Sequence, residues 1–221
     1  MKKLFLCALL ASSVASVAAA DAIEIVSAGA TTISGSGSGI TTPVSINGWN
    51  ITTVTGVSSS PGLSPFGLEL AVDATCASGA CLTTPLDVFY SDTGFTASVS
   101  AGDFRTTYSG TLTGSGTTRA ITWADSTDTL FGGGIPPLGT DHLGTVGPFG
   151  SPFGGGTTSG GPAETGTYSL TIEEVFTAGA SGSSSFGTDA NVTATPEPSS
   201  LLLLLSGLVG LGFMKWKVFQ S

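Results

Sequence analysis

Between positions 21 and 194 the apolar side chains come in short alternating runs, and no long stretch shows helical apolar spacing. In Leu68-Glu69-Leu70-Ala71-Val72-Asp73 every second residue is apolar, which puts Leu68, Leu70 and Val72 on one face of an extended strand. Tyr168, Leu170 and Ile172 repeat the pattern later in the chain. Runs rich in Val, Ile, Thr, Phe and Tyr, bounded by Gly, Pro, Ser and Asp, predict nine strands over 23–27, 46–57, 67–74, 86–91, 95–101, 105–114, 119–124, 168–178 and 187–194. The run from Gly67 to Phe89 reads as a hairpin with Cys76 to Cys81 near its turn, and Ser91-Asp92-Thr93-Gly94 reads as the next turn. Nine short strands with frequent turn signals predict an all-β domain, a single β-sandwich of jelly-roll type, with a barrel as the alternative. From about 131 to 166 the pattern gives way to Gly and Pro clusters, read as a long loop that could close one end of the sandwich. Within it, Gly147-Pro148-Phe149-Gly150 and Ser151-Pro152-Phe153-Gly154 look locally duplicated.

The two termini have a different pattern. Residues 1–20 hold a basic start at Lys2 and Lys3, an apolar run over 4–10 and an Ala18-x-Ala20 site, which together make a secretory signal peptide with the mature chain starting near Asp21. At the other end, 201–214 is almost wholly apolar, broken only by Ser206, Gly207, Gly210 and Gly212. As a helix it would be roughly 20 Å long, marginal against a hydrocarbon core of about 30 Å. Lys215 and Lys217 would stop translocation and mark the cytoplasmic side, with Trp216 at the interface. The body then faces outward. Pro196 and Pro198 disfavour helix, so Pro196-Glu197-Pro198 forms an extended strip just outside the membrane.

The order Pro196-Glu197-Pro198-Ser199-Ser200, leucine-rich segment, basic residues resembles the PEP-CTERM sorting signal of Gram-negative, exopolysaccharide-producing bacteria. The resemblance covers about the last 27 residues, 195–221. It implies recognition and processing by an exosortase-type membrane enzyme, first anchoring in the inner membrane and then delivery to the cell surface or extracellular matrix. The basic cluster departs from the family's arginine-rich terminus, since here Lys215-Trp216-Lys217 is followed by Val218-Phe219-Gln220-Ser221. More loosely, the ectodomain resembles bodies often found before this signal, in the strand over 86–91 with its Ser-Asp-Thr turn, the Asp-rich stretch over 125–131 and the late strand over 168–176. Those bodies are mostly without an assigned activity, so the likeness implies a β-sandwich and no chemistry.

Charge narrows the partners. Residues 21–194 carry fourteen Asp and Glu against Arg105 and Arg119, a net charge of −12 with no lysine, which argues against nucleic acid as a partner. Cys76 and Cys81, an isolated pair in an exported chain, are expected to form a disulfide.

Candidate chemistry is sparse. His142 is the single histidine, in Gly139-Thr140-Asp141-His142-Leu143-Gly144, and no G-x-S-x-G elbow supports a triad through it. Glu173 and Glu174, adjacent on a strand, point to opposite faces and cannot act as a glycosidase pair; with Glu69 and Asp73 they read as surface acids. Asp125 and Asp128 are the best ligands for calcium, a hard cation held by loop oxygens, although they lack EF-hand or RTX spacing. Trp49 and Trp123, with Phe104, Tyr108 and Tyr90, supply aromatic faces that could stack on sugar rings if turned outward. The expectation is an exported, non-enzymatic protein with no catalytic residues, and the alternative is a polysaccharide-binding module stabilised by calcium.

Overall fold

A computed structural model describes residues 21–194 apart from 28–29, 37–38, 41–42, 61–65, 78, 134–140 and 181–182. The expected signal peptide, sorting motif and membrane segment lie outside the described residues. The strands in chain order are β1 (Asp21–Ser27), β2 (Ala30–Ser36), β3 (Gly39–Ile40), β4 (Val44–Ile46), β5 (Trp49–Ser58), β6 (Phe66–Cys76), β7 (Leu86–Phe95), β8 (Phe104–Thr113), β9 (Gly116–Asp125), β10 (Asp141–Phe149), β11 (Gly156–Gly160), β12 (Tyr168–Ala178) and β13 (Ser184–Ala194). They form two antiparallel sheets, β10-β9-β12-β7-β1-β2 and β11-β8-β13-β6-β5-β3, with β4 paired to β5. The chain is a β-sandwich.

Alternation determines what lies between the sheets. Tyr168, Leu170, Ile172 and Phe176 of β12 meet Leu68, Leu70 and Val72 of β6 and Phe186, Ala190 and Val192 of β13, all buried. Aromatic rings bind the sheets together: Phe176 meets Phe186 at 5.2 Å and Phe104 meets Tyr168 edge-on at 6.1 Å, while Trp49 meets Phe186 at 5.7 Å within one sheet.

Five expectations need correction. The hairpin from Gly67 to Phe89 does not form, because β6 pairs with β5 and β13 while β7 pairs with β1 and β12 in the other sheet. Both edges of β6 are occupied, and facing sheets let Leu68 to Val72 and Leu86 to Tyr90 share one interior. The connection crosses the end of the sandwich through a short 3-10 turn, Ala80–Leu82. Next, the strand expected over 46–57 is broken at Asn47-Gly48, whose φ values of 47° and 82° reverse the chain into a β4–β5 hairpin.

The turn at Ser91 to Gly94 is also absent, since β7 runs on to Phe95. Its polar residues are satisfied inside the sheet: Ser91 Oγ donates to the Leu170 carbonyl at 3.1 Å and lies 2.9 Å from Thr171 Oγ1. The strand expected over 95–101 shrinks to an isolated bridge between Val99 and Glu164.

Finally, the loop over 131–166 contains β10 and β11, one at the edge of each sheet. Edge strands need only one ladder of N–H groups, so Gly and Pro are tolerated there and hide the strand pattern. Leu143 and Val146 of β10 still point inward. The duplicated pieces deliver Phe149 and Phe153, 4.8 Å apart, which pack on Tyr108 at 6.4 and 5.1 Å and seal the side where β10 and β11 meet.

Candidate functional site

The end of the sandwich from which the chain leaves is fixed by register. Ala194, the last residue of β13, is fully buried and lies between Phe66 of β6 and Phe104 of β8. Phe104 packs on Tyr168, the first residue of β12, and β12 and β1 both run antiparallel to β7, so Asp21 emerges at the same end as Ala194. Acidic residues gather there. Asp103 and Glu164 lie on connecting loops, Asp125 and Asp141 at strand ends, and Asp92 opposite Asp21.

Asp125 and Asp128 are spent on the protein. The Asp125 carboxylate accepts from the Thr127 amide at 3.0 Å, from the Thr127 hydroxyl at 2.7 Å and from the Thr129 hydroxyl. Burial pushes its pKa up, but the hydrogen bonds from Thr129 and Thr127 more than offset this and leave it below the usual value. Asp128 Oδ1 accepts from the Gly94 amide at 2.7 Å, tying the loop to β7. Among the described residues no three His, Cys, Asp or Glu side chains are grouped to hold a metal ion.

Beside the exit point, on the outer face of the second sheet, is a shallow depression of about 200 Å³ lined by Val57, Ser59, Gly67, Glu69, Asn191 and Thr193. Val57, 51% exposed, is the one large apolar side chain left exposed among the described residues. Glu69 is pushed up in pKa by burial and then by Asp189, its neighbour on the same face.

The interior holds an acid that strand alternation places there. Glu174 follows Tyr168, Leu170 and Ile172 in register and is 0% exposed, which corrects its reading as a surface acid. Its Oε2 accepts from the Tyr108 hydroxyl at 3.3 Å and from the Thr188 hydroxyl, and Tyr108 also pairs with Thr118. Its Oε1 is buried without a partner. Burial drives the carboxyl well above its ordinary value despite those hydrogen bonds. Glu173 points the other way, as expected, but is also buried, between Phe89 and Ile121 in the cross-strand register. Burial, and then Asp87, raise its pKa to about 7 against the lowering pull of Arg119. The inward alternation of β12 was the signal that could have located Glu174.

The aromatic candidates separate. Trp49 is 0% exposed, with its indole N–H donating to the Thr84 carbonyl at 3.0 Å, so it offers no face to a sugar. Tyr90, Phe104 and Tyr108 are core as well. Trp123 is half-buried, its ring 6.3 Å from that of His142. His142 is exposed on β10 rather than in a loop, and its Nε2 lies 2.9 Å from Thr145 Oγ1. Cys76 and Cys81 are bonded, with Cα atoms 5.8 Å apart. Pro196, Glu197, Pro198, Lys215 and Lys217 lie outside the described residues, and no described helix is long and apolar enough to cross a membrane.

Among known families, the PEP-CTERM protein-sorting motif matches residues 194–216. No curated protein matches the chain. Among solved structures it is similar to one described as the structure of infectious bursal disease virus Gx strain, at 12% identity over 80% of this chain and 52% of that one. The chain thus spans about half of that protein's length, and the TM-score of 0.28 is too low to bear on fold or function. The chain carries a PEP-CTERM sorting motif, and the motif begins on the last residue of β13.

Proposed function

We propose that the protein is a non-enzymatic passenger of an exosortase-type sorting system, exported and delivered to the cell surface or extracellular polymer matrix. The observation that carries this reading is the sorting motif over 194–216, which implies export and an exosortase-type processing partner. The body suits such a role. Asp125 and Asp128 are engaged by threonine hydroxyls and backbone N–H groups, Glu174 is fully buried, and the lone histidine has Trp123 and Thr145 as neighbours. In the proposed sequence of events the signal peptide directs export, the segment over 201–214 arrests in the membrane with Lys215 and Lys217 inside, and processing follows near Pro196-Glu197-Pro198. Fractionation of the full chain against a chain lacking 195–221 tests this: the full chain should pass through the membrane fraction to the cell surface, and identical partitioning of the two would refute it.

A second reading, binding of extracellular polysaccharide, rests on Trp123, the half-buried aromatic beside exposed His142. Retention of the native domain on matrix polysaccharide, lost with Trp123→Ala, would support it. No retention would remove it.

A further inference from the structure

We propose that the depression formed by Val57, Glu69, Asn191 and Thr193 is the docking surface for the membrane-embedded processing enzyme, which would seat an apolar side chain flanked by a basic group there. The proposal rests on the sorting reading above and identifies where on the folded body the enzyme makes contact. Three observations lead to it.

The first is covalent. The sorting motif starts at Ala194, which is still a fully buried strand residue paired on both sides. At no more than about 3.5 Å per residue, Pro196 cannot lie farther than roughly 10 Å from Thr193. An enzyme that grips Pro196-Glu197-Pro198 therefore works against the end of the folded sandwich.

The second is the surface that such an enzyme meets. Thr193 and Asn191, the last outward-facing residues of β13, line the depression together with Val57, the one large apolar side chain exposed among the described residues. A lone exposed valine is ordinary on a protein surface. Placed in a recess beside the point where the recognised segment leaves the fold, it can serve as a hydrophobic contact.

The third is charge. Glu69 lines the recess, with Asp189 next to it on the same face, and Arg105, the register partner of Thr193, turns its Nε to the Thr157 hydroxyl at 3.2 Å on the neighbouring edge strand. Two neighbouring carboxylates beside an apolar spot are complementary to an apolar segment carrying Lys or Arg.

Full-length chains expressed in an exosortase-bearing Gram-negative host, followed by pulse-chase immunoblotting of the processed form, test this. Val57→Ser and Glu69→Lys should each slow processing, by about tenfold when combined, the scale of losing a central interface contact. Thr75→Lys, on the same outer face but at the far end of β6, should process as the native chain does. A flexible Gly/Ser insert of about ten residues between Ala194 and Thr195 frees the motif from the body, and in that background Val57→Ser with Glu69→Lys should no longer matter. Val57 and Glu69 are not core residues, and the urea unfolding midpoint of each variant's body, unchanged from the native one, verifies folding. Processing at the native rate in the double variant, with Glu197→Ala blocking it, would overturn the docking surface alone. Native processing of Glu197→Ala as well would remove the sorting reading and the docking surface with it.

Discussion

At the end of the sandwich that holds the Cys76–Cys81 bridge, the connections Asn47-Gly48, 77–85, 114–115, 150–155 and 179–183 contain no charged residue, whereas the end that releases Ala194 and Asp21 gathers Asp92, Asp103, Asp125, Asp141 and Glu164. The first end is held by apolar contact and a covalent bond. Trp49 fills its interior, Leu86 lies beneath it, and the bridge pins the crossover between sheets. The second end has aromatic packing too, Phe95 and Phe104 on Tyr168, and adds polar bonds from short loops, such as the threonine bonds to Asp125 and the Asp128 bond to Gly94. Charge in the connections is thus gathered at the end where the sorting motif begins.

The largest effect expected from breaking that contrast is at the bridge end. Trp49→Ala removes a fully buried indole from Phe186 and orphans the Thr84 carbonyl, and should cost about 3–5 kcal/mol in urea unfolding. An effect below about 1 kcal/mol would show that Trp49 is not the anchor of that end.

Between the two ends sits a pH dependence. Glu173 has a folded pKa raised to about 7 by burial and Asp87, and Glu174 is raised by burial beyond its ordinary range. A raised folded pKa contributes stability that is complete below the unfolded value and lost as pH rises through the folded one. Stability should therefore fall from pH 5 to pH 8, by on the order of 2–3 kcal/mol for Glu173. Glu173→Gln should flatten that fall, and an unchanged midpoint between pH 5 and 8 in the native protein would contradict it.

Removing the bridge should cost less. Cys76 and Cys81 are five residues apart, so Cys76→Ser with Cys81→Ser is expected to lose about 1–3 kcal/mol by thermal unfolding and keep the fold. Smallest is the change at the charged end, where Asp125→Ala removes the acceptor of the Thr127 and Thr129 bonds and should cost about 1 kcal/mol while leaving the bridge end intact. A loss as large as that of Trp49→Ala would erase the distinction between the ends.

The sequence carried the central strands well because each buries one face, and alternation such as Leu68-Leu70-Val72 is the direct imprint of that burial. It did not carry which sheet a strand joins. Leu68 to Val72 and Leu86 to Tyr90 face the same core, and alternation is identical for a hairpin and for a crossing between sheets. The edge strands β2, β3, β10 and β11 were hidden because Gly, Ser, Thr and Pro at an edge face few packing demands. At the candidate site, the sorting motif and the cysteine pair were legible as local patterns. The recess beside Val57 was not, since Val57, Glu69 and Thr193 are far apart in sequence and meet only through the pairing of β5, β6 and β13.

The most direct test of the account is the intact mass of the protein recovered from outside the cells. The account expects a chain that starts near Asp21, ends within a few residues of Pro198 and carries the Cys76–Cys81 bridge. An exported chain that still ends at Ser221 would contradict it.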